Sequence, residues 1–137
     1  MKKAVLLLVV LVAIVAVGAL AFGKGKAEMF KGYLSDVACA TSASGKAGDG
    51  TVMKTDADKH TVACMTAAPC GGGGYGLEIN EGTEMAKNFV FYKFDKKGSD
   101  LAAKILKKTK KKSGVMVEVK GMKEMGMIKV ISMKEVK

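Results

Sequence analysis

Three cysteines and the chain's one histidine, Cys39, His60, Cys64 and Cys70, are the residues whose types and spacing could do chemistry. Three sulfurs and one imidazole match the number and type of donors in a tetrahedral zinc site, and soft sulfur donors also suit copper(I). The intervals are not those of common zinc fingers. His60 to Cys64 is His-x3-Cys, Cys64 to Cys70 is Cys-x5-Cys, and no Cys-x2-Cys pair occurs. The cysteines can instead pair. A disulfide among Cys39, Cys64 and Cys70 leaves one thiol over, its connectivity is not legible from spacing, and closing such loops contributes about 2–4 kcal/mol. Methionines add further soft donors. Met65 adjoins Cys64, and Met122, Met125 and Met127 cluster near the C-terminus, with Met122 and Met125 as candidate additional metal ligands.

Other chemistries find little support. Without Cys-x-x-Cys, a thiol-redox role is a third reading behind structural thiols and metal. Cys-x-x-Cys-His is absent, so covalent haem attachment is excluded on pattern. The Gly71–Gly74 run has no following Lys-Ser/Thr and is not a phosphate loop. A Cys64–His60 nucleophile pair lacks a visible third group. No catalytic residues are assigned, and the expectation is a non-enzymatic protein.

These side chains have to be positioned by the elements around them. Met29–Val37 alternates loosely and reads as a first strand, with Gly32 marking a bulge or a close backbone approach. Ala40–Thr55, rich in Ser, Gly, Ala and Asp, reads as a surface loop with little to bury. Asp58–Ala68 reads as a short helix capped by Asp56 or Asp58 and stopped at Pro69, which puts His60 and Cys64 at i and i+4 on one face. Tyr75–Asn80 and Phe89–Asp95 are the second and third strands, the latter with Phe89 and Phe91 on one face and Val90, Tyr92 and Phe94 on the other. Lys97-Gly98 turns the chain, and Ser99 caps a helix over Asp100–Lys108 whose apolar stripe is Leu101, Ile105 and Leu106. Val115–Lys120 and Met127–Met133 alternate and form a terminal hairpin around a Gly121–Gly126 turn. No internal repeat is read. The fold class is therefore mainly β with one to two helices. A helix between strands three and four of five is the element order of a small five-stranded OB-like barrel, with the Cys/His-bearing insertion between strands 1 and 2. In such a barrel the insertion and the last hairpin flank one face, where Met122 and Met125 could meet the cysteines.

The N-terminus points to export. Lys2 and Lys3 precede an apolar run from Ala4 to Val17, and Ala19-Leu20-Ala21 supplies a small-residue cleavage site, so residues 1–21 read as a signal peptide. The alternative is an uncleaved anchor over residues 4–22. Residues 22–28 read as a flexible tether and 29–137 as a single domain. The expected localisation is periplasmic or secreted. The basic residues are all lysine. Without Lys2 and Lys3 there are 21 lysines against 13 acids, a net +8. Absence of arginine argues against a nucleic-acid partner. Lys107, Lys108, Lys110, Lys111 and Lys112 form a candidate patch for an anionic envelope surface.

The segment Gly32-Tyr33-Leu34-Ser35-Asp36-Val37-Ala38-Cys39, the later His60, Cys64 and Cys70, the Gly74-Tyr75-Gly76 element and the Val117-Glu118-Val119-Lys120-Gly121 hairpin resemble a family of small exported bacterial proteins of unknown function. Their pattern is G-x-[IL]-x-D-x-x-C followed by a histidine and two cysteines, and the similarity covers most of residues 30–133. The resemblance implies an OB-like barrel and carries over no activity. The sequence thus leads to an exported, non-enzymatic binding module of the cell envelope with a disulfide-stapled insertion, or alternatively a zinc or copper protein using Cys39, His60, Cys64 and Cys70.

Overall fold

The computed structural model describes residues 25–137, so the signal peptide expected over residues 1–21 lies outside the described residues. Five strands, β1 (Glu28–Asp36), β2 (Tyr75–Asn80), β3 (Phe89–Phe94), β4 (Met116–Glu124) and β5 (Met127–Glu135), close into a barrel in the order β1-β2-β3-β5-β4. Every pairing is antiparallel except β3 with β5, which joins Lys93 to Met127 and Phe94 to Ile128 in parallel. This ring is consistent with the OB-like barrel expected from the element order.

Strand alternation decides what each face carries. Leu34 pairs with Leu77, Leu77 with Tyr92 and Phe30 with Val119, and these side chains join Phe94, Val117, Ile128 and Val130 in the barrel core. Gly32 pairs with Val117 on this inner face. A Cβ there would lie 2.4 Å from the Glu78 carbonyl oxygen, the close backbone approach expected from its sequence.

The helix after β3, over Lys96–Lys108, begins earlier than expected. Asp95 caps it by accepting from Gly98 N at 2.9 Å, so Lys97-Gly98 lies inside the helix rather than forming a turn, and Ser99 does not cap it. Gly98 serves packing instead: a Cβ would sit 2.4 Å from Val130 Cγ2 and 2.7 Å from Phe94 Cβ. Ala102 and Leu106 close one end of the core, and Lys107 and Lys108 lie in the last turn, where the helix dipole favours them. The terminal hairpin is also longer than expected. β4 runs through Gly121 with a register shift at Lys120/Gly121, and the turn is Met125-Gly126, both at positive φ.

The insertion between β1 and β2 departs most from expectation. It forms three one-turn helices, α1 (Val37–Ala40), α2 (Met53–Asp56) and α3 (Val62–Thr66), which makes the Lys96–Lys108 helix α4. Tight turns over Ala57–Lys59 and Cys70–Gly73 complete it. The expected surface loop over Ala40–Thr55 buries Ala47 and Met53, and Asp58–Ala68 is not one helix. The physical reason is the outer face of β1–β3. Register puts Tyr33, Glu78, Phe91 and Phe89 there, and so aromatic a face needs a cover. The insertion supplies it as a second apolar cluster of Cys39, Ala47, Met53, Ala57 and Phe89, against which Tyr33, Cys64 and Cys70 pack.

Candidate metal centre and its carboxylate–imidazole chain

Two short segments set the positions of Cys39 and Cys64 in the same way. Asp36-Val37-Ala38-Cys39-Ala40-Thr41 and Thr61-Val62-Ala63-Cys64-Met65-Thr66 share the pattern Val-Ala-Cys-x-Thr behind an oxygen-bearing residue. Asp36 Oδ2 accepts from Cys39 N at 2.9 Å, and Thr61 Oγ1 accepts from Cys64 N at 3.2 Å, each an N-cap on the third residue of its turn. At the other end Thr41 Oγ1 donates to Val37 O at 2.7 Å and Thr66 Oγ1 to Val62 O at 2.8 Å. A single helical turn is not stable by itself, and side-chain bonds at both ends fix it. The chain therefore does contain a short internal repeat, and it presents two sulfurs from two equivalent turns. The third, Cys70, opens the tight turn that leads into β2.

The sulfurs converge. Cys39 Sγ lies 3.8 Å from Cys64 Sγ and 4.0 Å from Cys70 Sγ. A disulfide requires about 2.05 Å. All three residues are free thiols, so the expected disulfide is not formed. Cys39 is buried, while Cys64 and Cys70 are half-buried. Burial, with the charge of Asp36 adding to it, pushes the Cys39 thiol far up, so its proton is held unless a cation replaces it.

His60 does not share a helix with Cys64. It ends the Ala57–Lys59 turn at φ −59°, ψ 132°, an extended conformation, and Thr61 then begins α3. Its ring is wholly buried between two carboxylates: Nε2–H donates to Asp36 Oδ1 at 3.0 Å and Nδ1–H to Asp49 Oδ2 at 2.8 Å. Asp49 Oδ2 also accepts from Thr61 N and Thr61 Oγ1, both at 2.8 Å. Burial alone lowers a histidine, but the bonds to Asp36 and Asp49 outweigh it and raise His60. Burial would likewise raise both aspartates. The His60 bond and the Cys39 N–H hold Asp36 low, and the Thr61 and Thr51 donors hold Asp49 well below the usual carboxylate range. The chain is thus carboxylate–imidazolium–carboxylate, one negative charge in excess, with Asp36 joining it to the thiols.

Three of the four residues singled out by type, Cys39, His60 and Cys64, are brought together, and Cys70 joins them through Cys39. Ligand atoms of Cys39, His60 and Cys64 lie within 4.8 Å of one another, as do those of Asp36, Cys39 and Cys70. This Cys/His cluster could hold a metal ion. Both ring nitrogens of His60 are engaged by carboxylates, which leaves the sulfurs as the disengaged donors. Met125 stands fully exposed at the tip of the β4–β5 hairpin, and Met122 is half-buried along β4. The methionine in the cysteines' own cluster is Met53. Asp49 and Met53 do not stand out in the sequence, and Asp36 does so only as the aspartate of the G-x-[IL]-x-D-x-x-C segment. For Asp36 and Cys64 the Val-Ala-Cys-x-Thr repeat was a usable signal, whereas Asp49 and Met53 had none, since their partners lie far along the chain.

No known family, no curated protein and no solved structure matches the chain. The expected family of small exported proteins is thus not supported by any match, and what stands is the five-stranded sheet and the Cys/His cluster.

Proposed function

We propose that this protein is an exported, non-enzymatic binding module whose Cys39, Cys64 and Cys70 hold one thiophilic metal ion, zinc or copper(I). The observation that carries this is the pair of separations from Cys39 Sγ, 3.8 and 4.0 Å; Cys64 Sγ and Cys70 Sγ are not within 4.8 Å of each other, and a side-chain rotation of either closes the set around one ion. Sulfurs about 2.3 Å from a common metal are about 3.8 Å apart in a tetrahedron and about 4.0 Å apart in a trigonal plane. The thiols' surroundings favour a cation as well. The excess negative charge of the Asp36–His60–Asp49 chain and the apolar cover over Cys39 both oppose bare thiolates and are relieved by a positive ion. Asp36 stands near enough to complete a fourth position, as does His60 if its Nε2 gives up its proton and its bond to Asp36. With Asp49 on its far nitrogen, His60 has the outer-shell carboxylate that commonly orients a metal-binding imidazole. Export rests on the Lys2-Lys3 and Ala4–Val17 segment with its Ala19-Leu20-Ala21 site.

A disulfide-stapled insertion is the second reading, favoured by one relationship: Cys39 adjoins both other sulfurs and can pair with either. Elemental analysis of the purified protein, beside a thiol count in denaturant, separates the two. One zinc or copper per chain, with three thiols that react only after chelation, is the expected result. No bound metal under reducing conditions overturns the metal reading, and a single titratable thiol establishes the staple.

A further inference from the structure

The covered outer face of β1–β3 holds one more group that the sulfur site does not use. Glu78 is 2% exposed, and its Oε1 is buried without a hydrogen-bond partner. Burying a carboxyl oxygen unpaired is costly, so its retention calls for an account. Glu78 lines a cavity of about 240 Å³ together with Met53, Phe89, Phe91, Ala40 and Lys54. The strand register fixes this arrangement: Glu78 pairs with Phe91 and with Tyr33, so the carboxyl and the ring of Phe91 rise from the same side of the sheet.

We infer that this cavity binds a small organic ammonium ion, whose N–H donates to the Glu78 carboxyl group while its carbon chain lies against Met53, Phe89 and Phe91. Apart from Lys54, which is exposed to solvent, the lining selects for that chemistry. The carboxyl oxygen needs a donor, which a purely apolar guest lacks and an anion opposes. The aromatic rings attract cations, and Met53 accepts aliphatic carbon. The volume, that of about eight waters in the liquid, limits the guest to a few heavy atoms. Burial lifts Glu78 to about 7, so a cationic guest holds as carboxylate a group that is otherwise half protonated near neutrality.

The test is titration of the full chain with n-butylammonium chloride, followed by amide chemical shifts. Saturable shifts around Met53, Glu78, Phe89 and Phe91 are expected, with affinity at least about tenfold weaker in Glu78→Gln. Phe91→Leu keeps the carboxyl and is expected to weaken binding as well, which covers the case in which Glu78→Gln does not fold. Cys64→Ser is expected to bind the amine as wild type does, so a failure of the sulfur site and a failure here are read separately. Unsaturable shifts in the wild type, an unchanged affinity in both Glu78→Gln and Phe91→Leu, or equal binding of 1-butanol would overturn the assignment.

Discussion

His60 Nε2 meets Asp36 Oδ1 at 3.0 Å with neither side chain reaching solvent. Asp36 spends its second oxygen on Cys39 N, so one carboxylate ties the histidine to the turn that presents the central sulfur. This pair links the barrel's first strand to its insertion. Asp36 is the last residue of β1, and His60 arrives 24 positions later.

Removing the cation from this pair is expected to be costly. His60→Gln leaves Asp36 and Asp49 facing each other without a positive charge and should destabilise the fold by about 3–5 kcal/mol. Urea unfolding checks this. Adding Asp36→Asn should recover part of the loss, because the double variant no longer buries an uncompensated charge; a fully additive cycle would refute the coupling.

Stability should peak in mildly acidic solution. The lowered Asp36 and Asp49 contribute stability present above their ordinary value of 3.8 and lost as acid protonates them. The raised His60 contributes stability present below 6.5 and lost as pH rises through its folded value. Glu78, raised from 4.5 to about 7 by burial, acts in the same direction as His60, its contribution fading across that interval. Glu78→Gln removes this last dependence. Relative to wild type it should gain about 3 kcal/mol between roughly pH 4 and pH 8. Denaturant melts of both proteins at the two pH values measure it.

The three thiols should not react alike. Cys39 is 5% exposed and its proton is tightly held, whereas Cys64 and Cys70 are half-buried. In reduced, metal-free protein, iodoacetamide should modify Cys64 and Cys70 first and Cys39 only on unfolding. Peptide mass spectrometry over a time course gives the order, and early labelling of Cys39 would contradict the burial.

Gly98→Ala sets helix propensity against packing. Propensity alone predicts a gain of up to about 1 kcal/mol within α4. The added methyl group, however, meets Val130 Cγ2 at 2.4 Å and Phe94 Cβ at 2.7 Å. Overpacking costs about 1–3 kcal/mol and should win. A lowered thermal midpoint is expected, while a raised one would mean that α4 shifts freely over the barrel.

Local pattern served the barrel well. Tyr75–Asn80 was readable to the residue, and Phe89–Phe94 and the β4–β5 hairpin to within a few, because alternation is a property of consecutive positions. The alternation in β3 also separated Phe89 from Tyr92 and Phe94, the division that the two apolar clusters display. Pattern failed at Asp95, whose capping bond moved the start of α4, and at His60. There a helical i, i+4 relationship was expected, but an extended residue stands between two turns.

The sequence by itself determined the strands, their order around one helix, and the residue types of a soft-metal site. It could not determine that Asp36 and Asp49 hold His60, that Met53 and Phe89 share the cysteines' cluster, or that Glu78 is buried under the insertion. Those relationships join positions far apart along the chain. They exist only because the closed barrel turns an aromatic outer face toward the insertion, and burial of that face, a non-local gain in free energy, folds the insertion down onto it.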